Sequence, residues 1–170
     1  MHYYKRGARW IAGLAIALMT TLVAPDAPAA TLSLDVMGKI AITTDPSHTV
    51  YHFTQAQLLA MPAHSITTST EWTARSTFTG PSLADILKHV GAQGTEIEVR
   101  TLDDYTDIIP LSDIDRYGVI MAYSMNGKRL KVSDFGPLFL IYPRDNYPTE
   151  LTGADANAKF VWQIKALIVK

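Results

Sequence analysis

The sequence has no cysteine in its 170 residues. That single absence excludes disulfides, thiolate metal sites and a cysteine nucleophile. Histidine is scarce as well, and the only close pair is His48 and His52. Pro46 precedes that pair and Thr49–Phe53 reads as extended, so the spacing does not make a helical metal site. No basic block occurs, which removes a nucleic-acid groove and a polybasic membrane patch from consideration. There is no apolar run of the roughly 20 residues that a spanning helix needs. No Gly-x-Ser-x-Gly elbow surrounds Ser69, Ser76 or Ser82, and no other catalytic set emerges.

What is present begins with Lys5, Arg6 and Arg9, followed by an apolar stretch from Trp10 to Ala24 and then Ala27-Pro28-Ala29. A charged start, a short apolar centre and small residues before a cut after Ala29 make a cleavable secretory signal. Residues 1–29 are therefore expected to be a signal peptide of Sec type, since Arg6 and Arg9 are not adjacent and no twin-arginine pair exists. The expected location is the periplasm. Cleavage removes three of the 15 basic residues and one of the 16 acids, leaving residues 30–170 with a formal charge of −3. That length fits one domain with one good core.

Along residues 30–170, Leu32–Val36 alternates as a half-buried strand and Lys39–Thr43 reads as another extended piece. Thr49–Phe53 runs up to Thr54, a helix N-cap for Gln55–Ala60, which Met61-Pro62 stops. Ser65–Thr70 reads as a strand, and residues 71–80 as a polar connector. Ser82 caps a helix with Leu83, Ile86, Leu87 and Val90 on one stripe, ended at Gly91. Glu96–Arg100 alternates, Tyr105–Pro110 extends into a second strand, and Ser112–Arg116 into a short helix. Tyr117–Met125 reads as an interior strand meeting the Asn126-Gly127 hairpin turn. Leu138–Tyr142 and Phe160–Val169 read as further strands, separated by a long polar loop over 143–158. The sum is an α+β fold: mostly β-strands, a few short helices, and functional loops at 71–80 and 143–158.

Several landmarks fall in order: Phe78-Thr79-Gly80-Pro81-Ser82-Leu83 into Asp85-Ile86-Leu87, Asp104-Tyr105, Met121-Ala122-Tyr123, Asn126-Gly127, Gly136-Pro137-Leu138, Tyr142-Pro143, and Phe160–Ile164 with Trp162. In this order they resemble the molybdopterin-binding domain of the sulfite-oxidase family, over roughly residues 65–170. The departures matter. The family's enzymes bind molybdenum through a cysteine thiolate before the Phe-x-Gly opening, where this chain reads Ile66-Thr-Thr-Ser-Thr-Glu-Trp-Thr73. Their basic clusters for the cofactor phosphate thin here to Arg75, Arg100 and Arg144. Exported family enzymes travel folded by the twin-arginine path, which this signal lacks. The resemblance thus implies a branch of cysteine-free periplasmic pterin-binding proteins, with no molybdenum. It implies a reduced pterin as ligand, and as partner the periplasmic domain of a membrane protein that makes or degrades cyclic di-GMP, a diguanylate cyclase or phosphodiesterase. The competing expectation is a molybdopterin-dependent oxidoreductase or its accessory subunit.

A pterin presents a guanidine-like edge and a flat face. A carboxylate accepts two hydrogen bonds from such an edge, and an indole stacks on such a face. Glu71 and Trp72 supply those groups, and both can line one pocket only if the connector is irregular, because adjacent strand residues point to opposite faces. Each has a plainer alternative: Trp72 as an edge-of-core aromatic, Glu71 as a solvated acid. Arg75 meets a ligand carbonyl or faces water. Asp104, Tyr105 and Asp107 add to the pocket, or Asp103-Asp104 is ordinary turn chemistry. Arg144, Asp145 and Tyr147 form a rim. Trp162 reads as core, and His64 lies close enough in sequence to leave acid–base chemistry open.

Overall fold

The computed structural model describes residues 31–170; the expected signal peptide, residues 1–29, lies outside the described residues. In chain order the elements are β1 (Leu34–Gly38), β2 (Val50–Phe53), α1 (Gln55–Ala60), β3 (Ala63–Thr68), β4 (Ser76–Pro81), α2 (Leu83–His89), β5 (Glu96–Thr101) and β6 (Thr106–Pro110). They continue with α3 (Leu111–Tyr117), β7 (Ile120–Ala122), β8 (Ser124–Met125), β9 (Lys128–Arg129), β10 (Phe139–Ile141), a 3-10 turn (Arg144–Asn146), α4 (Ala154–Ala158) and β11 (Ile164–Val169). This is the expected α+β architecture.

The strands form three sheets: β2-β1-β11-β5-β6, β10-β7 and β3-β4-β8-β9. The last strand is inserted at the centre of the first sheet, parallel to β1 and antiparallel to β5. Phe53, Phe78, Ile97, Leu140 and Phe160 are among the buried side chains of one continuous core. Such side chains each contribute about 1.5–3 kcal/mol by leaving water.

Local chemistry explains the short helices. Thr54 and Gln57 form a reciprocal capping box on α1, satisfying two amides that a helix start leaves unpaired. Ser82 Oγ accepts from the Asp85 amide at 3.0 Å, and the α2 stripe Leu83, Ile86 and Leu87 is buried. Asn126 and Gly127, with φ of 51° and 75°, turn β8 into β9. Gly80 has a different reason to be glycine. A Cβ there would stand 2.0 Å from the Met121 carbonyl oxygen, so the β4–β7 approach that joins two sheets requires its absence.

Four local expectations need correction. Lys39–Thr43 is not a strand: the Ala41 and Ile42 amides donate to the Val90 carbonyl, so the segment wraps the end of α2. Only the first half of the 71–80 connector is irregular, because β4 begins at Ser76 and pairs with β3 through six residue partners. The run Tyr117–Met125 splits among the end of α3, β7 and β8, which lie in different sheets with the chain crossing at Tyr123. Finally, the 143–158 loop contains the 3-10 turn and α4.

Candidate ligand-binding site

Four segments converge on a cavity of about 410 Å³. They are the irregular connector before β4, the turn from β5 to β6, helix α4, and Phe160–Trp162 leading into β11. The volume and the concave, mostly apolar lining suit a small aromatic molecule.

The connector is shaped by Thr70. Its hydroxyl accepts from the amides of Trp72 and Thr73, and its own amide donates to the Thr73 carbonyl at 3.1 Å. This tight turn breaks strand alternation and carries the Trp72 indole to the cavity wall. Asp145 of the 3-10 turn holds the strand just before it. The carboxylate accepts from the Ser69 amide and from Ser69 Oγ at 2.6 Å, while the Asp145 amide donates to Thr68 Oγ1. The Ser69 hydroxyl bond is the main cause that holds the Asp145 carboxyl below the usual aspartate range; Arg75, 3.2 Å away, adds to it.

Trp162 continues the same wall, in contact with Trp72. Its ring lies edge-on to Trp72 with centroids 4.4 Å apart, and it packs against Phe135 and Phe139 behind. Gln163 takes φ of 55° immediately after it, so the alternation of the last strand begins only at Ile164. Trp162 is therefore half-buried and shared between core and cavity, where the sequence pattern suggested core alone.

The floor at the β5–β6 turn carries Thr101, Asp103 and Tyr105. Asp103 Oδ1 accepts from the Thr101 hydroxyl and from the Tyr105 amide, the latter at 3.4 Å. The Thr101 bond is the first cause that lowers the Asp103 carboxyl, which therefore stays ionised at neutral pH. Burial, then the neighbouring Asp107, pushes the Tyr105 hydroxyl up, so it is a neutral donor. Asp107 is itself raised by burial.

The remaining expected site residues have definite places. Glu71 is not among the lining residues; its Oε2 accepts from Asn157 of α4 at 3.2 Å and lies 3.6 Å from Arg144. Glu71 and Arg144 thus brace α4 against the connector, behind the wall that Asn157 forms. Arg75 is paired with Asp145, outside the lining. Asp104, with φ of 65°, is exposed and bonded to Lys165. Of Glu71, Trp72, Arg75, Asp104, Tyr105 and Arg144, the structure brings Trp72 and Tyr105 to the cavity, places Glu71 one contact away through Asn157, and sets Arg144 behind Glu71. Asp103, Asn157 and Trp162 complete it; Asp103 reads as turn chemistry in sequence, and nothing local marks Asn157. His52 and His64 are engaged elsewhere: His52 lies 2.5 Å from Asp35, and His64 lies 3.4 Å from Asp85.

The topology has a solved counterpart. The crystal structure of the sulfane dehydrogenase SoxCD from Paracoccus pantotrophus is similar, with a TM-score of 0.59 at 16% identity, over 81% of this chain and 37% of that one. The fold is thus that of a sulfite-oxidase-like molybdopterin domain, and this chain spans little more than a third of the SoxCD chain it matches. The chain belongs to the oxidoreductase molybdopterin binding domain family, whose model matches residues 30–165. No curated protein matches it by sequence.

The lining offers molybdopterin's phosphate no direct cation. A phosphate calls for cations, and no Lys or Arg lines the cavity. Nearby Arg144, Lys159 and Lys165 lie against Glu71, Asp113 and Asp104 respectively. No thiol is available to hold a metal.

Proposed function

We propose that the domain binds a reduced pterin against the Trp72–Trp162 pair and beside the β5–β6 turn, and acts as a non-catalytic sensor of that ligand. The observation that carries this reading is the pair of indoles walling a cavity of about 410 Å³. Indole rings remove the faces of a bicyclic heterocycle from water, and polar groups at one end fix its orientation. Membership of a molybdopterin-binding family makes a pterin the natural bicycle.

Support for the cellular setting comes from the sequence. The charged start, apolar centre and Ala27-Pro28-Ala29 favour export, so ligand would be met in the periplasm. The resemblance to the cysteine-free branch favours a membrane diguanylate cyclase or phosphodiesterase as the receiver of the signal.

The test is to purify the protein from periplasm under mild conditions, release bound compounds with acid and identify them by mass spectrometry. A pterin near one per chain supports the reading. An empty protein that also takes up no added reduced pterin rejects it, and molybdenum near one per chain would favour an oxidoreductase instead.

A further inference from the structure

We propose that Asn157 makes the cavity a reader of the ring's oxidation state: its side-chain carbonyl accepts a ring N–H that a reduced pterin has and an oxidised pterin lacks. This rests on the pterin reading above and adds the contact that selects the reduced form.

Asn157 carries an unmet bond. It lines the cavity from α4, and among the described residues its Oδ1 is the one buried side-chain polar atom with no hydrogen-bond partner. Folded proteins leave few such atoms, because an acceptor taken out of water needs a donor in its place. Oδ1 is closed to water in the empty protein, so solvent does not supply that donor.

The orientation of the amide is fixed by Glu71, outside the cavity lining. Asn157 Nδ2 donates to Glu71 Oε2 at 3.2 Å, and that oxygen lies 3.6 Å from Arg144. The opposite orientation would set two oxygens against each other, so Oδ1 is the group left for a ligand. Asn157 therefore offers the cavity an acceptor and no donor. The terminal torsion of asparagine is broad, and the Glu71 side chain is half exposed. A modest turn brings Oδ1 against a molecule in the cavity while Glu71 follows.

Such a group distinguishes an N–H from a bare ring nitrogen. In a dihydropterin the nitrogen N8 carries a hydrogen and donates it. In the oxidised ring the same nitrogen presents a lone pair, which repels a carbonyl oxygen. The exocyclic amine and the pyrimidine N–H are alike in both forms and do not report oxidation. A site that hydrogen-bonds an N–H rejects the analogue lacking it, because its own polar group then stays unpaired.

The experiment is anaerobic calorimetric titration of the intact protein with dihydroneopterin and with neopterin, its oxidised counterpart. The wild-type protein is expected to bind the reduced form roughly tenfold more tightly. Asn157→Leu keeps a similar shape and removes the acceptor. It should weaken dihydroneopterin roughly tenfold, leave neopterin nearly unchanged, and so close the gap. Its thermal midpoint without ligand should be no lower than the wild-type value, because the unpaired acceptor leaves together with the exposed Glu71 bond. Glu71→Ala frees the amide to turn either way and should narrow the gap while both probes still bind. Equal wild-type affinities for the two probes overturn the proposal, whether or not any variant folds. So does a gap that survives in Asn157→Leu, and so does equal weakening of both probes, which would put Asn157 on an edge common to the two forms. Binding of neither probe rejects the pterin reading itself, and this selection with it.

Discussion

The indoles of Trp72 and Trp162 meet edge-on, with ring centroids 4.4 Å apart and planes inclined at 67°. One arrives on a turn made by Thr70, the other on the approach to the last strand. They differ in what stands behind them. Trp72 is 44% exposed, whereas Trp162 packs on Phe135 and Phe139.

That difference predicts separable effects. Trp72→Ala should lower stability by about 1–2 kcal/mol, because nearly half of its surface stays in water. Trp162→Ala opens a void beside the core and should cost about 3 kcal/mol. Both should abolish uptake of a reduced pterin. Urea unfolding separates the stabilities and fluorescence titration reads the binding; unimpaired binding in both variants would show that the cavity is not the site.

The second prediction concerns Asp145, which ties the 3-10 turn to the end of β3. Replacing it with alanine leaves the Ser69 amide and hydroxyl without their acceptor and releases Arg75. A loss of about 1–2 kcal/mol is expected, since charge-assisted bonds to a partly buried carboxylate exceed an exposed ion pair. The connector that carries Trp72 should loosen as well, seen as faster amide exchange at residues 69–75. Exchange that stays as slow as in the wild-type protein would show that Thr70 alone shapes the turn.

How far the sequence was legible depends on the range of the cause. The N-cap at Thr54, the Ser82 cap and the Asn126-Gly127 turn rest on neighbours within a few residues, and each reads correctly from sequence. The apolar run at 117–125 could not be divided from sequence, because its halves pair with different sheets whose partners, β10 and β4, are remote. Helix α4 begins at Ala154, and its N-cap position is Gly153, which has φ of 92° and no side chain to cap with, so no strong start signal marks it. Its Asn157 therefore stayed invisible as a wall residue. Trp162, flanked by Phe160, Val161 and Ile164, has the pattern of a core strand. Only the positive φ at Gln163, a conformation with no sequence signature there, turns it partly outward. Asp103 illustrates the same limit: its turn chemistry is local and legible, but its place in a cavity depends on α4 and the connector.

Acid sensitivity follows from four carboxyls held below their ordinary values. Asp45 accepts from the Val50 and Thr49 amides, Glu98 lies against Lys170 and Arg100, Asp103 is bonded to Thr101, and Asp145 to Ser69. A lowered folded-state pKa gives stability that is present above the unfolded value and lost as pH falls through the folded one. Asp107 acts oppositely: burial raises it, so its charge costs stability at neutral pH and that cost fades on acidification. Four against one predicts near-constant stability from pH 7 to about 5 and a decline below about pH 4. Denaturant midpoints measured across that range check it; a midpoint that rises on acidification below pH 4 would mean that Asp107 outweighs the rest.

The last prediction separates the support of α4 from its contact with ligand. Lys159, which follows α4, places Nζ 2.6 Å from Asp113 of α3, and Asp113 is nearly buried beside the Tyr142 hydroxyl. Replacing Lys159 with methionine keeps the aliphatic stem and strands the carboxylate, which should cost about 2–3 kcal/mol, somewhat less than a fully buried pair because Lys159 keeps partial access to water. A Lys159→Met, Asp113→Leu double variant removes both charges together and should recover most of that loss, since an apolar pair of similar size needs no desolvation of charge. Both substitutions lie outside the cavity lining, so the double variant should bind a reduced pterin as the wild-type protein does. Restored stability with lost binding would instead mean that the ion pair sets the position of α4, and with it the Asn157 wall.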